Sequence, residues 1–220
     1  MGRVGLVTIG QSPRVDVVSE MREVVGERVE ILECGALDKL SRERILELAP
    51  RENEEFFVTR LRDGSEVKVA VSRIVPLVQE CINTLEPLVD VIGLICTGEF
   101  HGISSRKILI EPSALLINIV KSLSPRRLGV LVPNSRQVSM TNRKWSAVTT
   151  DIKVVSVSPY TGNEGEIKQA AAQMVDRDLV VLDCVGYSRR IKKVVAELTG
   201  KPVILPRTVI AYTIKELLEA

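Results

Sequence analysis

Aromatic residues, histidine and long apolar runs are scarce in this chain, and each scarcity closes a class of function. Aromatics make up 3% of the 220 residues, too few for the stacking platforms on which single-stranded nucleic acid lies. His101 is the only histidine. That removes most zinc sites and any Ser-His or Cys-His triad, so acid–base work near neutral pH falls to cysteine, carboxylate or lysine. No run approaches the ~18 apolar residues of a membrane helix. The N-terminus enters a strand without the apolar stretch of a signal peptide, so a cytoplasmic protein is expected. There is no Cys-x-x-Cys pair, and the cysteines Cys34, Cys81, Cys96 and Cys184 need not form disulfides. Neither a G-x-G-x-x-G nor a G-x-x-x-x-G-K-[ST] motif occurs, so no nucleotide fingerprint is present. The 30 basic and 28 acidic residues are well mixed, with a net charge of +2. The densest basic spots, Arg126-Arg127 and Arg189-Arg190, are too small for a duplex-binding stripe.

What is present is aliphatic. Hydrophobic residues make up 45% of the chain, so the core must be built from Val, Ile, Leu and Ala, as in buried parallel strands. Strand-like and helix-like runs alternate almost throughout, which is the α/β pattern. Val4–Ile9 reads as the first strand. Ser12-Pro13 reads as an N-cap followed by proline at the first helical position, opening a helix to about Val25. Phe56–Arg62 and Glu66–Val71 flank Asp63-Gly64, a hairpin signal inside an otherwise parallel pattern. The expected architecture is α/β, with two pseudo-symmetric domains of parallel sheets flanked by helices and a β-hairpin insertion in the first. The domains are placed at 1–110 and 111–205, with a C-terminal helix (206–220) able to pack back onto the first. A single doubly wound sheet is the alternative.

Two strands are near-copies: Asp90-Val-Ile-Gly-Leu-Ile-Cys96-Thr-Gly98 and Asp178-Leu-Val-Val-Leu-Asp-Cys184-Val-Gly186. Each reads as an Asp, an apolar run and then Cys-x-Gly, a parallel strand emptying into a tight turn. Ligands of open α/β sheets bind beyond the carboxyl ends of the strands. A thiolate and a thiol presented to the two faces of one carbon can remove and return its proton. The carbanion formed is high in energy, so fixed donors must stabilise the developing enolate. Cysteine near a helix start feels unpaired N–H groups. Thr97, Tyr187 and Ser188 add hydroxyls, and Gly98 and Gly186 let backbone amides approach a carboxylate; Leu179–Leu182 reads as the second repeated strand and Ser188 as the cap of a helix to about Leu198. Cys34 and Cys81 lack this context and are read as structural.

The strings Val-Thr-Ile-Gly10, Leu37-Asp-Lys-Leu-Ser-Arg42, Glu111-Pro112-Ser113, Gly129-Val-Leu-Val-Pro133, Leu182-Asp-Cys184-Val-Gly186 and Val209-Ile-Ala211 resemble the AroM family over nearly the whole chain. That family is similar to the aspartate/glutamate racemase superfamily, which includes hydantoin racemases, maleate isomerases and arylmalonate decarboxylases. The resemblance implies two pseudo-symmetric α/β domains with the active site between them and no cofactor. It maps the two catalytic cysteines onto Cys96 and Cys184, and the second-domain threonine loop near Asn134-Ser135. The chain departs from the racemases at three places. Their Cys-Asn-Thr is Cys96-Thr-Gly here, their Cys-Thr-His is Cys184-Val-Gly, and their N-terminal acidic residue is replaced within Gly10-Gln11-Ser12.

The expected activity is thus a cofactor-independent racemase or isomerase, using Cys96 and Cys184 for proton transfer at a carbon next to a carboxylate or carbonyl. Ser12, Arg14, Thr97, Gly98, Asn134, Ser135, Gly186 and Tyr187 are the expected substrate-binding residues, with no metal. Ser12-Pro13-Arg14 offers free N–H groups, a hydroxyl and a guanidinium to an anion. Asp183 should point away from Cys184 by strand alternation, as a structural carboxylate. The expected partner is a small carboxylate-bearing metabolite, not nucleic acid or membrane, with self-association into a homo-oligomer left open. Two alternatives stay open: a one-thiol decarboxylase or cis–trans isomerase of the same superfamily, and a non-catalytic metabolite-binding or regulatory protein.

Overall fold

The computed structural model describes residues 2–218. The chain divides into two compact units, one running up to Ser113 and resuming at Ile210, the other Ala114–Val209. In chain order the elements of the first half are β1 (Gly2–Thr8), α1 (Val15–Val25), β2 (Val29–Gly35), α2 (Arg42–Glu47), β3 (Phe56–Arg60), β4 (Glu66–Ala70), α3 (Val71–Leu85), β5 (Val91–Leu94) and β6 (Ile108–Ile110). The second half continues with α4 (Pro112–Leu123), β7 (Arg127–Val132), a short 3₁₀ turn (Ser135–Gln137), α5 (Val138–Trp145), β8 (Asp151–Ser156), α6 (Glu164–Ala172), β9 (Leu179–Leu182), α7 (Arg189–Thr199), β10 (Val203–Ile204) and α8 (Pro206–Leu218).

Each unit holds a four-stranded parallel sheet, ordered β2-β1-β5-β6 in the first and β8-β7-β9-β10 in the second. The two orders are the same once β1 is matched with β7, so the chain makes one topology twice. The central strands show why. Arg3-Val-Gly-Leu-Val and Arg127-Leu-Gly-Val-Leu are near-copies, buried on both faces except at the opening arginine. The aspartate before each cysteine strand fixes the register. Asp90 donates its N–H to Arg3 O (2.8 Å) and accepts Arg3 N–H (2.8 Å). Asp178 does the same with Arg127, at 2.8 and 2.9 Å.

The antiparallel hairpin β3–β4 is the extra feature of the first unit. Its turn is held by Asp63, which accepts Ser65 N–H (2.8 Å), and by Gly64 at φ +88°, a conformation that favours glycine. Helices cover the sheets with aliphatic side chains. In the second unit, α6, the turn after it and α7 close one face through Ile167, Ala171, Met174 and Val195. On the other face, Leu116, Val120 and Trp145 pack on Leu128, Val130 and Val181. Complete burial of one such side chain contributes about 1.5–3 kcal/mol, so the repeated strands carry much of the stability.

Some helix starts follow the sequence reading and one does not. Ser188 caps α7 by accepting Ile191 N–H, and Pro206 opens α8. The first helix begins later than expected, at Val15, and Ser12 does not cap it. The Ser12–Pro13 bond is cis, and the serine hydroxyl is drawn instead to the carboxylate of Asp38 (2.5 Å).

Among the described residues no helix is long and apolar enough to cross a membrane. Cys34 on β2 and Cys81 on α3 form a disulfide, with Cα atoms 5.6 Å apart and a sequence separation of 47. Their structural role is therefore covalent.

Candidate active site

Cys96 and Cys184 occupy the same place in the two sheets. Each lies two residues past its strand, β5 or β9. The residue before it, Ile95 or Asp183, donates its N–H to the neighbouring central strand, at Val7 O or Leu131 O, both at 2.8 Å. The chain then turns at the carboxyl edge, and the N–H of the glycine two positions on points back at the sulfur. Gly98 N lies 3.4 Å from Cys96 Sγ, and Gly186 N lies 3.3 Å from Cys184 Sγ. Neither cysteine is in a disulfide, and both are buried. A backbone N–H aimed at sulfur favours negative charge there.

The glycines are required by what sits on them. A Cβ at Gly98 would run into the ring of Phe57, on β3, and one at Gly186 would lie 2.5 Å from Cζ of Tyr160 and 2.8 Å from Pro159. Each Cys-x-Gly turn is thus roofed by an aromatic ring that only glycine admits. Phe57 stacks in turn on Phe100, with centroids 5.0 Å apart. The hydroxyl of Tyr160 stands 3.9 Å from Cys184 Sγ.

Charged groups brace the second loop from behind. Asp183 turns away from the cysteine and accepts Lys144 Nζ at 2.9 and 3.0 Å and Trp145 Nε1 at 2.7 Å, all buried. Arg207, in the first turn of α8 and 1% exposed, donates to Val185 O (2.9 and 2.6 Å) and Gly186 O (2.9 Å). Sequence reasoning anticipated a structural Asp183 but not its partners or Arg207. An arginine at a helix start, where the dipole disfavours a cation, was the available signal.

The Ser12–Arg14 segment differs from the expectation of an open anion site. Asp38 accepts Ser12 N–H (2.7 Å), Ser12 Oγ, Gly35 N–H (2.8 Å) and Arg62 Nη2 (2.6 Å). Arg62 also donates to Ser12 O, and its N–H reaches Gln11 Oε1 (3.1 Å). Arg14 is 3% exposed. Its guanidinium forks onto Asp16 (2.9 and 2.9 Å) and reaches Thr8 Oγ1 (3.2 Å). Ser12 and Arg14 therefore spend their polar groups within the protein and shape the loop beyond β1. Arg14 N–H is taken by Glu33 (2.7 Å), whose carboxyl burial pushes above the ordinary range.

Tyr187 departs in the same way. It is fully buried and donates its hydroxyl to Val157 O (2.7 Å), so it anchors the second loop and does not offer that group to a ligand. Thr97 is buried beside Cys96. Asn134 caps the 3₁₀ turn by accepting Arg136 N–H (3.1 Å). Together with Ser135, Ser156, Ser158 and Thr161 it lines a cavity of about 420 Å³ beyond the carboxyl ends of β7 and β8. That lining is rich in hydroxyls. His101 is exposed in the loop after Cys96. No group of three or more His, Cys, Asp or Glu that would hold a metal ion occurs among the described residues.

Residues 4–218 match the family model described as AroM protein. No curated protein is a significant match to the sequence. Among solved structures, the fold is similar to allantoin racemase from Klebsiella pneumoniae, with a TM-score of 0.68 at 13% identity, covering 99% of this chain and 87% of that one. The maleate isomerase of Pseudomonas putida S16 gives a TM-score of 0.63 at 14% identity, over 98% and 92% of the two chains. Glutamate racemase from Aquifex pyrophilus gives 0.59 at 14% identity, over 99% and 84%. At these identities the likeness is one of fold.

Proposed function

We propose a function from the premise that the chain belongs to the AroM family. It is a cofactor-independent racemase or isomerase that moves a proton at a carbon next to a carboxylate or carbonyl. Cys96 and Cys184 are its two acid/base groups. The observation that carries this reading is the repeated loop: two cysteines outside any disulfide at matching strand ends, each with a glycine N at 3.3–3.4 Å from its sulfur. Core cysteines packed as small hydrophobes have no reason to recur at the same turn with the same donor. The fold shared with racemases and a maleate isomerase supports the reaction class.

In this mechanism one thiolate removes the proton and the other thiol supplies one to the opposite face. Either enantiomer is accepted by exchanging the roles. Thr97, Gly98, Asn134, Ser135 and Gly186 bind the anionic and polar groups of a small carboxylate-bearing metabolite, and Ser12, Arg14 and Tyr187 hold the walls. The chemistry is placed in the cytoplasm, where the Cys34–Cys81 disulfide must resist reduction by cellular thiols.

The test is solvent deuterium incorporation at the α-carbon across amino acids, hydantoins and hydroxy acids. General acid–base groups contribute roughly 10²–10⁴ in rate, so Cys96→Ser and Cys184→Ser should each lose at least about a hundredfold. Full exchange in both variants overturns the thiol mechanism. Exchange that survives in Cys96→Ser alone moves the reading to one-thiol chemistry. Ligand-induced thermal stabilisation without exchange or turnover makes the chain a binding protein.

A further inference from the structure

We infer that Tyr160 is the positioning partner of Cys184, donating its hydroxyl to the thiolate and holding the sulfur at the mouth of its loop. The inference gives a role at the proposed site to a residue outside the two cysteine loops, and its catalytic meaning rests on the thiol reading above.

Three observations carry it. The Tyr160 ring lies on Gly186, so the phenol is fixed against the turn that bears the sulfur. Its oxygen is 3.9 Å from Cys184 Sγ, a long contact that shortens when the acceptor gains charge, as catalytic hydrogen bonds commonly do on leaving the resting state. The segment holding Tyr160 is itself fixed, because Ser158 Oγ accepts the N–H groups of Tyr160 (3.1 Å) and Thr161 (3.2 Å).

Two charged groups that brace this loop are engaged with other partners. Asp183 is turned to Lys144 and Trp145, and Arg207 to the carbonyls of Val185 and Gly186. Phe57 does the same roofing over Gly98 in the first loop, but its ring has no hydroxyl to give. Both loops thus carry an aromatic ring over their glycine, and only the ring over Gly186 has a hydroxyl.

The experiment is alkylation of the intact protein by iodoacetamide over a range of pH, with each cysteine followed by mass spectrometry. Only the thiolate reacts, so the midpoint of each profile reports ionisation whatever the exposure, and Cys96 serves as the internal reference. Tyr160→Phe keeps the ring on Gly186 and removes the oxygen. A hydrogen bond of ordinary strength predicts that the Cys184 midpoint rises by about half to one pH unit, with labelling about three- to tenfold slower near neutrality. The Cys96 midpoint stays where it was.

Fluorotyrosine at 160, a stronger donor of the same shape, lowers the Cys184 midpoint, and this arm holds even if phenylalanine disturbs the fold. An unmoved Cys184 midpoint with either replacement, or equal movement of both cysteines, overturns the inference. A shifted midpoint in a protein whose Cys184→Ser variant keeps full exchange leaves the coupling standing and refutes only the thiol mechanism.

Discussion

The buried pair behind the second cysteine loop makes a quantitative demand. Lys144 and Asp183 meet at 2.9 Å with side-chain exposures of 6% and 4%, and the same carboxylate takes the indole N–H of Trp145 at 2.7 Å. Asp183→Asn leaves a carbonyl oxygen for the indole but removes the negative charge, so a buried ammonium faces a neutral amide. Breaking a buried pair from one side costs about 3–5 kcal/mol. Lys144→Met leaves the carboxylate with the indole and should cost a comparable amount. The double variant, Lys144→Met with Asp183→Asn, buries no charge there and should fall within about 2 kcal/mol of wild type. The three variants then define a coupling of at least about 4 kcal/mol in a double-mutant cycle.

The assay is urea unfolding at neutral pH, with thermal melts alongside. For a chain of this size each kcal/mol moves Tm by roughly 2–4 °C, so each single variant should melt at least about 6 °C below wild type. Single effects under about 1 kcal/mol, or a double variant equal to the sum of the singles, would refute the claim that this pair braces the loop as a buried unit.

Two further outcomes follow from other contacts. Replacing both Cys34 and Cys81 with alanine opens a crosslink spanning 47 residues. The loop-entropy relation then predicts a loss of about 4 kcal/mol, seen as a lower urea midpoint, and wild type treated with a dithiol reductant should show the same loss. Glu33 has a folded-state pKa above its usual 4.5, chiefly because burial disfavours its charge. The group therefore binds more protons folded than unfolded. Stability should fall as pH rises from its unfolded value through the raised one. Glu33→Gln should flatten that part of the stability–pH curve, and an unchanged slope would contradict the assignment.

Much of the scaffold could be read locally. The apolar run Leu179–Leu182 is a strand with those limits, Ser188 caps its helix and Asp63-Gly64 turns the hairpin, because strand periodicity and turn chemistry depend on neighbours in sequence. Ser12 failed the same reasoning. Its signal as an N-cap was sound, but the helix starts at Val15 with Arg14 at the cap position, and the Ser12 hydroxyl donates instead to Asp38, 26 residues away. Tyr187 looked like a ligand hydroxyl and proved to serve a carbonyl 30 residues back. The second repeat, Arg3-Val-Gly-Leu-Val against Arg127-Leu-Gly-Val-Leu, was present in the sequence and would have revealed the matched sheet orders.

By itself, then, the sequence determined that one strand–turn unit is made twice and that each copy ends in Cys-x-Gly, since an apolar strand followed by a small-residue turn is encoded over about ten residues. Only the tertiary structure decided what surrounds each sulfur. The Phe57 and Tyr160 roofs, the Lys144–Asp183 brace, the Arg207 clamp and the Cys34–Cys81 bond each join residues at least 21 positions apart. Such pairings are set by how helices and loops pack on the sheets, which no local pattern records.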